Sequence, residues 1–170
     1  MPEIFVGIGS NIEPESHIRE AVRRLRTRFG RLRLSPVYRN PAVGFVGEDF
    51  LNLAVAFDSR EPVADVRSAL DAVEAECGRV RGSPRFAPRT LDLDLLMYGE
   101  VVTDFPVRLP RAEILKYAYV LRPLTDLAAN RRHPLTGRKL AEHWREFDAA
   151  SQPLIPVQLD RKSTRLNSSH

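Results

Sequence analysis

Two aspartates one residue apart, Asp92 and Asp94 in the run LDLDLLMY, are the most chemically pointed pair in this 170-residue chain. On an extended strand, residues i and i+2 share a face and lie about 6–7 Å apart along the chain. Leu91, Leu93 and Leu95 then take the opposite face, toward a core. Two like charges side by side repel, and Asp is disfavoured in strands generally. A hard divalent cation with oxygen ligands offsets that cost. A solvent-facing strand with two hydrated carboxylates is the plainer alternative that spacing alone leaves open. Just upstream, GRVRGSPRFAPRT carries Arg79, Arg81, Arg85 and Arg89 within eleven residues, among Gly82, Pro84 and Pro88. Arginine forks suit phosphate oxygens. Phosphoryl transfer is catalysed mainly by positioning and charge stabilisation, so arginines beside a magnesium site are its working parts. A solvated loop is the bland reading of the arginines, and the glycine and prolines mark a loop able to close. Arginine loop and aspartate pair together favour a nucleotide-dependent transferase.

The elements that must hold these residues follow from periodicity. Glu3–Ser10 reads as a buried strand ending in glycine and small polar residues. Glu15–Phe29 places Ile18, Val22, Leu25 and Phe29 at helical spacing, with Pro14 near the first turn and Gly30 as the stop. Arg31–Tyr38 alternates as a strand, Arg39–Glu48 reads as a loop, and Leu51–Phe57 is a second buried strand. Pro62 opens a helix with Val66, Leu70, Val73 and Cys77 on its apolar face. Arg79–Arg89 is a second loop, Leu91–Tyr98 a strand, and Arg111–Leu127 mostly helical with an interruption at Pro123. The order β-α-β-β-α-β predicts a ferredoxin-like α+β fold, an antiparallel sheet with helices on one face and a helical C-terminal extension.

Composition narrows the classes. The chain is 43% hydrophobic and 28% charged, ordinary for a globular domain of this length. The longest apolar runs, LNLAVAF and LDLDLLMY, fall far short of the roughly 20 residues of a membrane span. MPEIFVGIGS has no basic stretch before its apolar residues, which argues against a secretory signal. A single cysteine, Cys77, excludes an internal disulfide and a zinc–cysteine module. There is no G-x-x-x-x-G-K-[ST], and Gly7-Ile8-Gly9 is only two-thirds of a dinucleotide fingerprint. His17, His133 and His143 lack metal-ligand spacing, and Arg19, Arg23, Arg24, Arg26 and Arg28 read as the solvated face of the first helix rather than a nucleic-acid surface.

Asp160–His170, DRKSTRLNSSH, has no apolar periodicity and resembles the conceptual translation of a sequencing-library adapter. It is set aside as a non-native tail, leaving residues 1–159 as one expected domain. The tail holds three basic residues and one acidic, so 26 Lys and Arg against 22 Asp and Glu become 23 against 21, and the net charge falls from +4 to +2.

The residues also carry a resemblance. IGSN (8–11), YRNPAVG (38–44), DFLNLAV (49–55), GRVR (78–81), RFAPRTLDLDLLMYG (85–99) and YVLRPL (119–124) occur in the order found in the 6-hydroxymethyl-7,8-dihydropterin pyrophosphokinase family. The chain resembles that family over almost all of residues 3–128, and the R-x-x-P-R-T-L-D-L-D run is highly specific. The resemblance implies transfer of pyrophosphate from ATP to the hydroxymethyl group of the pterin, releasing AMP, in folate synthesis. It implies that Asp92 and Asp94 hold two Mg2+ ions, that Arg79 and Arg89 grip the phosphates, and that Arg81 and Arg85 belong to a mobile catalytic loop. Glu74, Arg111 and Lys116 would lie near the nucleotide. Pro41, Val43, Phe50, Asn52 and Tyr119 would form the pterin site, Asn52 by hydrogen bonding and Tyr119 by stacking. The implied partners are the two small molecules, with no nucleic acid and no membrane, and a cytoplasmic monomer is expected. Four positions depart from the family pattern: Phe50 replaces a frequent tyrosine, a change that stacking survives, Arg111 stands where histidine is usual, Tyr117 where arginine is, and Phe86 where tryptophan is frequent. A paralogue acting on a different pterin, or a binding protein without turnover, are the alternatives the last three raise. An RNA-binding module using the first helix's arginines ranks last.

Overall fold

The computed structural model describes residues 1–41, 49–78 and 91–159. Its first strand, β1 (Glu3–Ser10), is buried on both faces and is an interior strand of the sheet. It pairs antiparallel with β4 (Phe50–Asp58) in unbroken register from Glu3 opposite Asp58 to Ser10 opposite Leu51. On its other side runs β5 (Asp92–Tyr98), also antiparallel and one edge of the sheet. β3 (Val37–Asn40) borders β4, and a short β6 (Ile155–Val157) forms the far edge. Between β1 and β3 the chain forms α1 (Pro14–Phe29), and between β4 and β5 it forms α2 (Val63–Gly78).

The strand expected over Arg31–Tyr38 is two pieces, β2 (Arg33–Leu34) and β3, both paired to β4. Pro36 has no N–H to give the ladder. Ser35 bridges the gap: its backbone N–H donates to the Ala54 carbonyl at 2.9 Å, and its hydroxyl accepts the Ala54 N–H at 2.8 Å. Counting β2 and β3 as one strand, the order is that of a ferredoxin-like sheet. The expected loop at Arg39–Glu48 begins later than its composition indicates, because Arg39 and Asn40 pair with Leu51 and Phe50. Residues 42–48 and 79–90, the remainder of the two expected loops, lie outside the described residues, as does the tail from 160.

Alternation divides the apolar residues into two cores. Ile4, Val6 and Ile8 of β1 pack under Ile18 and Leu25 of α1 and Leu70 of α2. Phe5 joins Ala56, Leu96, Met97, Leu121 and Leu124 on the opposite face. A bulge in β5, where Phe5 faces Met97 and Val6 faces Leu95, leaves Leu96 unpaired and sends both Leu96 and Met97 into this second core. Helices on one face therefore describes α1 and α2 only. The C-terminal extension covers the other face with α3 (Ala118–Ala128) and α4 (Leu140–Glu146).

The break expected at Pro123 does not occur. α3 runs through it, with Leu121 and Leu124 on either side fully buried in the second core, so packing outweighs one lost backbone bond. The interruption falls earlier. A 3-10 turn spans Ala112–Leu115, and Tyr117 is extended before α3 begins. On α1 three arginines are answered at close range within the protein. Arg23 and Arg24 pair with Glu20, Arg24 also with Glu76, and Arg28 with Glu61.

Candidate functional site

β5 presents its aspartates as its spacing requires: Leu93 and Leu95 are buried against α1 and α2, while Asp92 and Asp94 are half-buried on the face shared with α3. Their cross-strand neighbours on β1 are glycines, Gly9 opposite Asp92 and Gly7 opposite Asp94. With no side chains beside the carboxylates, the sheet surface there is hollow. Pro41, Phe50, Asn52, Asp92, Asp94 and Tyr119, six of the residues picked from sequence, line one cavity of about 270 Å³. Ligand pockets typically run to roughly 300–1,000 Å³, so this one suits a small ring system.

Four strands and one helix supply the walls. Phe50 and Asn52 alternate along β4, Pro41 follows β3, and Tyr119 enters from the first turn of α3. Burial pushes the Tyr119 hydroxyl's pKa up, and the neighbouring Tyr117 and Asp94 push it further, so the phenol stays neutral. Its ring stacks on Tyr117, centroids 5.1 Å apart. Tyr117 therefore acts as an aromatic brace for Tyr119.

Asn52 is buried, and its amide donates to the side-chain oxygen of the equally buried Asn40, a diagonal neighbour on the same sheet face. Gly9 lies against the other end of that amide: a Cβ there would sit 2.6 Å from Asn52 Oδ1. Asn40, Gly7 and Gly9 line the cavity too, and sequence reasoning missed all three. The glycines did leave a signal. Two glycines at i and i+2 in an otherwise branched, buried strand mark a face stripped for close approach. Asn40 left none, because its role depends on a contact between strands.

The second ring of expected residues is more scattered. Arg111 stands beside the pair, its guanidinium 3.5 Å from Asp94 and 2.5 Å from Glu113, with its backbone N–H on the Leu96 carbonyl. Glu74 reaches from α2 to the outer edge of β5 and accepts the Leu93 N–H at 2.8 Å, between the two aspartates. Lys116 is exposed and does not line the cavity; its carbonyl accepts from Gln152. Val43, Arg79, Arg81, Arg85 and Arg89 lie outside the described residues. Among the described residues no cluster of three or more Asp, Glu, His or Cys forms a complete metal cage. Two carboxylates facing one cavity are instead the donor set that Mg2+ takes when phosphate and water fill its other positions.

The sheet and its cavity define a ferredoxin-like α+β domain with a small-molecule pocket at two strand carboxylates. The chain belongs to the 7,8-dihydro-6-hydroxymethylpterin-pyrophosphokinase (HPPK) family, whose model matches residues 5–129. It is 39% identical over 146 residues to the 2-amino-4-hydroxy-6-hydroxymethyldihydropteridine pyrophosphokinase of Pseudomonas aeruginosa, covering 82% of this chain and 88% of that one. The enzyme of the same name from Methylorubrum extorquens is 36% identical over 134 residues, 75% of this chain and 84% of that protein. The wild-type HPPK-DHPS crystal structure of Plasmodium falciparum shares the fold, with a TM-score of 0.65 at 10% identity, covering 86% of this chain and 43% of that one. The present chain thus spans less than half of that longer protein.

Proposed function

We propose that the chain catalyses pyrophosphate transfer from ATP to the hydroxymethyl group of 6-hydroxymethyl-7,8-dihydropterin in folate synthesis. The hydroxyl oxygen attacks the β-phosphorus of ATP and its proton is released. The bond from that phosphorus to the α,β-bridging oxygen breaks, and AMP leaves with the electron pair. Membership of the family supports the reaction. The observation that carries it is the shared cavity: carboxylates suited to a metal-bound triphosphate adjoin an amide and two aromatic rings suited to a flat heterocycle.

Within that reading, Asn52 hydrogen-bonds the pterin edge, Phe50 and Tyr119 sandwich the ring, and Pro41 and Val43 shape the entrance. Asp92 and Asp94 hold two magnesium ions, which when bound neutralise phosphate charge and orient the reacting oxygens. Arg79 and Arg89 grip the phosphates, with Arg81 and Arg85 closing over them. Arg111, already beside Asp94, meets the same charge, and Glu74 and Lys116 flank the nucleotide. The chain acts as a cytoplasmic monomer on small molecules, and residues 1–159 form one domain. Among the described residues no helix is long and apolar enough to cross a membrane.

Product identity tests this. Purified protein with Mg-ATP and hydroxymethyl-dihydropterin should yield AMP in step with pterin pyrophosphate, separated by anion-exchange chromatography. ADP as the nucleotide product would rule out pyrophosphoryl transfer, and tight pterin binding without any AMP would make the chain a binding protein.

A further inference from the structure

Asn52 carries the amide that the proposed function aims at the pterin, and a free amide is ambiguous. Turned one way it shows the pocket a carbonyl acceptor; turned the other, an NH2 donor. Three linked groups remove the ambiguity. The Pro41 backbone carbonyl can only accept, and Asn40 Nδ2 donates to it at 3.4 Å. That contact commits the Asn40 amide, leaving its Oδ1 to accept. Asn52 Nδ2 donates to this oxygen, so Asn52 in turn must point its own Oδ1 away. The oxygen comes to rest over Gly9, on the cavity floor, in space that any larger residue at position 9 would fill. Reversing Asn52 would set two acceptors against each other in a buried place, where an unsatisfied polar group is costly. Both amides are nine-tenths or more buried, so water is a poor substitute partner.

We infer that Asn40 is a positioning residue that fixes the polarity of the Asn52 amide, making the pocket select a heterocycle whose facing edge donates a hydrogen bond. The inference rests on the pterin reading and deepens it. A 2-amino-4-oxo ring, with an exocyclic amino group, is the preferred class. Its 2-oxo counterpart, which offers a carbonyl at that position, meets acceptor with acceptor and is rejected. A site built around hydrogen bonds discriminates strongly because a mismatched ligand leaves buried groups unpaired.

The test compares two non-reacting oxidised rings, 6-hydroxymethylpterin and 6-hydroxymethyllumazine, by calorimetric titration with a non-hydrolysable ATP analogue present throughout. The wild type should favour the 2-amino ring. Asn40→Ala frees Asn52 to turn, and the preference should shrink about tenfold or more, chiefly through weaker pterin binding, while affinity for the ATP analogue stays within about twofold. Asn40→Asp keeps an acceptor of the same length in front of Asn52 and should retain most of the preference. Its behaviour stands as the test if the alanine variant does not fold. A wild type that binds the 2-amino ring, with Asn40→Ala keeping the same preference or Asn40→Asp losing it, overturns the role given to Asn40 and leaves the function intact. A wild type that binds neither ring overturns the pterin reading and this inference with it.

Discussion

At the residue scale, the site works because of atoms that are missing as much as those present. Gly9 and Gly7 face Asp92 and Asp94 across the β1–β5 ladder, yet they differ in what surrounds them. A Cβ at position 7 would meet Leu96 at 3.5 Å, an ordinary contact. One at position 9 would meet Asn52 Oδ1 at 2.6 Å, and the amide that carries this oxygen is held through its Nδ2 by Asn40. Gly9→Ala should therefore weaken pterin binding about tenfold or more while Gly7→Ala has a smaller effect, read as the pterin KM of each variant at saturating ATP. Equal effects at both positions would show that general crowding, not displacement of Asn52, is at work. The carboxylates were legible in the sequence from residue type and period-2 spacing, and the Asn52 amide and the two rings from the family resemblance. Asn40 was not, and the paired glycines left a signal that residue type alone did not tie to the site. One acts through a partner twelve positions along the chain, and the others act by leaving room.

At the element scale, two hydrogen bonds made by side chains do work that backbone normally does. Ser35 stands in for the ladder where Pro36 breaks it, and its hydroxyl is the acceptor for the buried Ala54 N–H. Ser35→Ala should cost roughly 1–3 kcal/mol, the usual penalty for orphaning a buried donor. It should appear as a lower urea midpoint with an unchanged m value. Glu74 does the same for the open edge of β5 at Leu93. Glu74→Gln retains an acceptor there and Glu74→Ala does not, so only the alanine variant should speed amide exchange at Leu93. Equal exchange in both would show that the edge needs no cap. The central strands and the first two helices were readable because each has a full run of periodic apolar residues. α4 and β6 were not. α4 is only seven residues long and buries Leu140 alone outright, and β6 has a proline at its centre, tolerated because it is an edge. Pro123 misled in the opposite direction, its local penalty overridden by the buried leucines around it.

At the scale of the whole molecule, the C-terminal extension closes the second core, and its folding is tied to a buried histidine. His133 Nδ1 accepts the backbone N–H groups of Leu135 and Thr136 at 3.2 and 3.4 Å, which requires an unprotonated ring nitrogen. Burial, and then the nearby His143, lowers its pKa below the ordinary histidine value. The sign follows directly. Near pH 7.5 both folded and unfolded states are neutral at this ring, so its contribution is fully present. Below about pH 6.5 the unfolded chain takes up a proton the folded one resists, and stability falls with pH. Urea midpoints should drop between pH 7.5 and 5.5, and His133→Gln should flatten that slope; a slope unchanged by the substitution would place the pH dependence elsewhere. Net charge was a poorer guide at this scale. Half of the apparent +4 sits in Asp160–His170, and Arg23, Arg24 and Arg28 of α1 are paired on the spot, so nothing in the overall balance pointed to phosphate. The local crowding of arginine before two aspartates did.

The central claim is that Asp92 and Asp94 and the aromatic–amide pocket form one site for pyrophosphoryl transfer. The most direct measurement is the rate of AMP release with Mg-ATP and hydroxymethyl-dihydropterin for Asp92→Ala and Asp94→Ala beside the wild type. Each substitution should lower kcat on the order of 10³-fold or more, with pterin affinity largely kept. AMP release that survives the loss of either carboxylate at near wild-type rate would contradict the account.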